Sequence, residues 1–230
     1  VAALLNSETS DNMAFTASNY SGIDYFFILS YESIWYLYKI FIPLNLSPIY
    51  VYPLKVNGYL PFFYYLSTFA VVALVFLVYK TYKKYDYLLF GLAFFYLIIF
   101  VVFQIVPSRL FIVADRYGYL PNIGIFYIMA CWFWQWNKGD IGWLKQFKEK
   151  QWVLYVLGAG FVILSFKQTS VWKNDLTLSN RIIEVNQETG YLGRAYGIRA
   201  NYLKNVLGMP NEALELSLIH ISEPTRLRRI

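Results

Sequence analysis

"YLPFFYYLSTFAVVALVFLVY", residues 59–79, carries no charged side chain over 21 positions. A bilayer's hydrocarbon core is about 30 Å thick and an α-helix rises about 1.5 Å per residue, so about 20 such residues make one membrane span. A second run, "YLLFGLAFFYLIIFVVFQIV" at 87–106, is uncharged over 20 positions. A third, from Tyr117 to Trp136, ends in "WFWQW", a composition suited to the aromatic belt at a membrane surface. The fourth, from Trp152 to about Trp172, holds one charge, Lys167, close enough to its end for the ammonium to reach water along its aliphatic stem. Residues 25–44, "YFFILSYESIWYLYKIFIPL", contain Glu32 and Lys39 and read either as a fifth span or as a helix lying in the interface.

The composition agrees with this class. Charged residues make up 15% of the 230, against roughly 25% in soluble globular chains, and 58% are hydrophobic. The expected fold is all-α: a polytopic transmembrane helical bundle of four to five spans over residues 25–172, then the start of an α-helical repeat domain at 173–215.

The short loops set the expected orientation. Lys80, Lys83 and Lys84 follow the first run, and Lys138, Lys145, Lys148 and Lys150 lie between the third and fourth. Two crossings separate these loops, which places them on one side, and the positive-inside rule makes that side cytoplasmic. The opposite loops, 45–58 and 107–121, hold only Lys55, Arg109 and Arg116, and they face outward with everything after Trp172. Residues 1–24 resist assignment: they contain Glu8, Asp11 and Asp24 but no Lys or Arg.

Both ends look like interruptions. Val1 is not preceded by Met, and no signal-peptide pattern follows it, so residues 1–24 read as the end of a longer N-terminal part. The tail "LSLIHISEPTR", Leu216 to Arg226, resembles one reading frame of a transposase adapter used in DNA sequencing, and residues 216–230 are expected to be that adapter rather than protein. Setting aside Arg226, Arg228, Arg229 and Glu223 lowers the net charge from +6 to +4. So modest an excess, placed in short loops, makes no nucleic-acid face. The single histidine, His220, leaves with the tail, and the single cysteine, Cys131, sits in an apolar run. Neither a Cys/His metal site nor a histidine-based catalytic triad can be assembled.

Beyond Trp172 the chain has the character of a soluble helix. Residues 192–207 suit a helix closed by Gly208, and Pro210 and Asn211 open another containing Glu212, Ala213 and Leu214. Helix, tight turn and second helix resemble half of a tetratricopeptide repeat, with Ala200 and Ala213 where the helices touch. A helical hairpin of another kind fits as well. The "GAG" of Gly158 to Gly160, within an apolar run and without a preceding strand, suggests close helix packing rather than nucleotide binding. Asn19-Tyr-Ser21 and Asn45-Leu-Ser47 match glycosylation acceptors, a pattern common by chance.

The chemistry concentrates in "PSRLFIVADRYGYLP", 107–121. Pro107 and Pro121 bracket it and take the chain out of regular helix. Arg109 and Arg116 can bind the phosphate of a lipid-linked substrate through bidentate guanidinium contacts. Tyr117 and Tyr119 can stack on a sugar or line its groove. Asp115 can accept a proton, pair with an arginine or help hold a divalent metal. The plainer alternative is that Asp115 and Arg116 pair with neighbours while the tyrosines belong to the aromatic belt. "PLNLSPIYVYP", 43–53, reads as a stiff extended crossing that either walls a substrate groove or simply connects.

"KIFIPLNLSPIYVYP", two spans, "VADRYGYLPNIGIF", two more spans, "VWKNDLTL" and a tetratricopeptide-like hairpin together resemble the membrane proteins related to TMTC-type O-mannosyltransferases, members of the polytopic GT-C glycosyltransferases. The resemblance covers roughly residues 25–215. It implies transfer of a sugar from a polyprenyl-phosphate donor to an acceptor, such as a protein Ser or Thr, on the extracytoplasmic face, with repeats that engage protein partners. It also implies that the principal catalytic carboxylate lies in a first external loop upstream of Val1, which leaves Asp115 as a secondary candidate. Two other functions fit the same spans: a non-enzymatic membrane anchor displaying a repeat scaffold, and a carrier or polymerase of lipid-linked glycans.

Overall fold

The computed structural model describes residues 20–103, 111–138, 152–186 and 192–216. The expectations concerning residues 1–19, Asn19 among them, Pro107, Arg109, the lysines at 145, 148 and 150, and the tail 216–230 apart from Leu216 fall outside the described residues. What is described is predominantly helical, with one short two-stranded ribbon.

Helix α1, Gly22–Phe41, opens on a capping box. Ser21 accepts from the Asp24 amide at 3.3 Å, and Asp24 accepts from the Ser21 N–H at 2.6 Å. The chain then runs through Pro43–Pro53, where Tyr50–Val51 forms strand β1. A tight hairpin follows at Val56–Tyr59, where Asn57 and Gly58 both adopt positive φ (53° and 82°), the combination an Asn-Gly turn supplies. Helix α2 is Phe62–Thr81, started by Pro61, and α3 is Asp86–Phe100. Strand β2, Phe111–Val113, leads into a 3₁₀ turn at Asp115–Gly118. Helices α4, Asn122–Lys138, and α5, Trp152–Thr169, follow. A 3₁₀ turn at Ser170–Trp172 leads into α6, Asp175–Asn186; α7 is Gly193–Asn205, and α8 spans residues 210–216.

Several boundaries differ from the sequence expectation. The third run does not become helix until Asn122, because Pro121 and the 3₁₀ turn before it occupy its first residues. The second ends at Phe100 and unwinds over 101–103. Among the described residues one helix, Phe62–Thr81, is long and apolar enough to cross a membrane.

The chain divides into two compact units. The first comprises residues up to Val71, Phe103–Arg116 and everything from Ser170 onward. In it β1 and β2 pair antiparallel, Tyr50 opposite Val113 and Val51 opposite Phe111. Val51, Ile182, Ile183, Leu192 and Ala195 form a core between the ribbon and the α6–α7 hairpin. A second small core of Ala200, Leu203 and Ala213, covered by Leu216, closes α7 on α8, with Gly208 at φ 67° making the bend.

The second unit, Val72–Val102 and Tyr117–Thr169, is organised by the crossing of α3 and α4. There Gly91 and Gly124 meet backbone to backbone: a Cβ on Gly91 would stand 2.6 Å from the Gly124 carbonyl oxygen, and one on Gly124 would strike the Gly91 carbonyl. The close packing expected of Gly158 and Gly160 is not found, since a Cβ at either meets nothing within 4 Å among the described residues. Close approach needs a facing helix as well as a glycine, and α3 and α4 supply one another.

Candidate functional site at the ribbon and helix α6

Three segments far apart in sequence meet in the first unit. The ribbon fixes 43–53 against 111–116, and α6 docks on its edge. The motif "KNDLT" explains where α6 starts: Asn174 caps it, its Oδ1 accepting from the Thr177 N–H at 2.8 Å while the Thr177 hydroxyl accepts from the Asn174 N–H at 3.3 Å. At the other end Asn186, almost fully buried, accepts from the Val51 N–H at 3.1 Å and donates to the Ile49 carbonyl at 3.1 Å. Arg181, between them, donates from Nε to the Leu46 carbonyl at 2.9 Å and pairs with Glu184 at 2.8 Å.

Helix α1 closes the other side of the ribbon. The Tyr36 hydroxyl donates to the Ala114 carbonyl and accepts from the Ala114 N–H, both at 3.3 Å, and the Trp35 ring packs edge-on to Tyr50 at 4.6 Å. Lys39 donates to the Leu44 carbonyl, with its ammonium 5.4 Å from the Trp35 ring centroid.

Asp115 lies inside this frame. Both carboxylate oxygens are buried and neither is hydrogen-bonded among the described residues. Burial pushes its carboxyl up to about 6, and Lys39, the Ser47 amide, the Tyr50 hydroxyl and Arg181 act in the opposite direction without restoring the ordinary value. The Tyr50 hydroxyl is already engaged, accepting from the Ser47 N–H and donating to the Asn45 carbonyl, both at 2.9 Å. Burial and the neighbouring Asp115 charge keep the Tyr50 phenol well above its usual range, so it remains a neutral donor.

Arg116, the next residue, lines a different feature. A cavity of about 190 Å³ is walled by Ile49, Phe111, Trp172, Leu178, Ile182 and Ile198, and Arg116 is the charged residue on its lining. Its guanidinium also lies over the Phe111 ring, 5.7 Å from the centroid. An apolar slot with a guanidinium on its wall suits a hydrocarbon ending in an anion.

The expected site residues are therefore only partly assembled. Asp115 and Arg116 are placed on two adjacent features of one unit, while Tyr117 and Tyr119 belong to the second unit and are not among the groups around Asp115. Tyr119 is exposed, and Arg109 lies outside the described residues. Lys39, Arg181 and Trp172 join the site without having been expected there, whereas Tyr50, the last residue of "PLNLSPIY", comes from the stretch read as either walling a groove or simply connecting. The charged groups that act on Asp115 are Lys39 and Arg181, and among the described residues no three His, Cys, Asp or Glu side chains gather.

Compared with family models, with curated proteins and with solved structures, the chain finds no match in any of the three.

Proposed function

We propose that the chain is part of a polytopic membrane glycosyltransferase that takes a polyprenyl-phosphate-linked sugar at the outer membrane interface. The observation that supports this most is an apolar cavity bearing Arg116 next in sequence to a buried carboxylate, Asp115, whose charge Lys39 and Arg181 favour. The cavity takes the first isoprene units, and Arg116 bonds the phosphate. An acceptor hydroxyl attacks the anomeric carbon with inversion, and the C–O bond to the polyprenyl phosphate breaks. The charge growing on that leaving group is stabilised by guanidinium and ammonium groups already in place. Asp115 accepts a hydrogen bond from a sugar or acceptor hydroxyl and orients it; it is a secondary group, not the principal base.

The membrane placement has its own support. Helices α2 to α5 expose large apolar residues along their lengths, Phe69, Val75, Phe90, Leu97, Phe126, Trp134, Ile163 and Phe166 among them, which suits a lipid-facing surface. The lysine pattern puts residues 45–58, 107–121 and the chain after Trp172 on one side, and described parts of all three pack together in one unit. The α7–α8 hairpin, with Ala200 against Ala213, is the beginning of a repeat domain that would engage protein.

In the full-length protein, Arg116→Ala should lower sugar transfer at least tenfold, the value of one charge-assisted contact, while membrane abundance stays unchanged. Undiminished transfer removes Arg116 from the site. Absence of any transfer by the intact protein, with partner binding retained by the repeats, leaves the scaffold function instead.

A further inference from the structure

We infer that α1 lies in the plane of the membrane at its outer interface, with both ends on the same side, and that its outward apolar face is a lipid-contact surface. This rests on the proposal that α2 is a membrane span.

The segment 44–55 runs back along the whole of α1. Leu44 meets Lys39 near the helix end, Tyr50 meets Trp35, Tyr52 and Pro53 meet Tyr20, and Lys55 pairs with Asp24 in the first turn at 2.6 Å. Apart from β1 this segment is irregular backbone, and Leu44, Leu54 and Val56 on and just beyond it are exposed. If α1, about 30 Å long at 1.5 Å per residue, crossed the bilayer, exposed irregular backbone would cross beside it. Hydrocarbon does not tolerate that, because the unpaired peptide groups find no water there.

The contact with α2 agrees. Tyr31 stacks on Tyr64 at 4.2 Å and Phe27 meets Tyr65 at 4.6 Å, so the middle of α1 touches the opening turn of α2. A helix that meets a span at its first turn sits level with that span's end.

The distribution of side chains on α1 follows. Asp24, Glu32 and Lys39 share one face with Ile28 and Trp35, turned toward the ribbon, and Glu32 is only 1% exposed. Ile23, Phe26 and Phe41 lie on the opposite face and are exposed, as are Phe62 and Phe63 at the start of α2. The polar face is thus covered by protein, and the apolar face is the one left for lipid. Both ends then share one side, so Ser21 and Leu44 face the same compartment.

The test is impermeant-maleimide labelling of single cysteines in the full chain, in sealed vesicles of known orientation, on a Cys131→Ser background. Gly22→Cys, exposed with nothing near its Cβ, reports the start of α1; Leu44→Cys reports the segment after it; Lys83→Cys reports the lysine loop. Gly22→Cys and Leu44→Cys should label from the outer face and Lys83→Cys only after permeabilisation. Labelling of Gly22→Cys only together with Lys83→Cys, or its protection on both sides, overturns the in-plane arrangement. Labelling of Leu44→Cys and Lys83→Cys from the same face instead refutes α2 as a span.

Discussion

Asn186 completes the free edge of β1 through Val51: its Oδ1 accepts the Val51 N–H at 3.1 Å, while its Nδ2 donates to the Ile49 and Ile182 carbonyls at 3.1 and 2.8 Å. One side chain at the end of α6 thereby does what a third strand would do. It joins the helical hairpin to the ribbon that carries the site.

Asn186→Ala should therefore destabilise the first unit by about 1–3 kcal/mol, because a buried edge loses its donor and its acceptor together. Asn186→Asp keeps an acceptor for Val51 but loses both donated bonds and places a charge in a nearly sealed site, so it should cost at least as much. Thermal unfolding in detergent measures both, and an unchanged midpoint for Asn186→Ala refutes the tie.

The two glycine sites separate packing from propensity. Gly91→Ala or Gly124→Ala forces α3 from α4 and should cost about 1–3 kcal/mol. Gly158→Ala meets open space and should be neutral, or stabilising by up to about 1 kcal/mol through better helix propensity. Equal effects at the three positions would contradict the crossing.

The Asp115 carboxyl, raised to about 6 in the folded chain from 3.8, binds more protons folded than unfolded across that interval. Stability therefore falls as pH rises from about 4 to about 6, and the penalty is complete above it. Asp115→Asn should match wild type near pH 4 and be as stable or more stable at pH 7.5, while sugar transfer declines. A variant that is less stable at pH 7.5 than at pH 4, relative to wild type, would mean that Lys39 and Arg181 outweigh burial.

Some of this was legible in the sequence. The charge-free run at 59–79 marks α2, and Gly208 marks the end of the α7 turn, because each depends on local chemistry alone. The ribbon was not legible: strands of two and three residues have no periodicity to detect, and Tyr50 and Val113 pair across some sixty residues. For the same reason neither Lys39 nor Arg181 could be brought near Asp115 from the sequence. Lys39 reads as an awkward charge in a greasy helix until Asp115 is placed beside it. "GAG" at Gly158 and single glycines at Gly91 and Gly124 show the converse, since a local motif cannot reveal whether a helix faces it.

If the Arg116 cavity holds an isoprenyl chain ending in phosphate, a fluorescence titration of the detergent-solubilised protein with farnesyl phosphate will detect it. Trp172 on the cavity wall is the reporter, identified by loss of signal in Trp172→Phe. The expected result is a saturable change, a Kd raised about tenfold or more by Arg116→Ala, and no such dependence on Arg116 for farnesol. An unchanged Kd in Arg116→Ala, or no saturable binding by the intact protein, would contradict it.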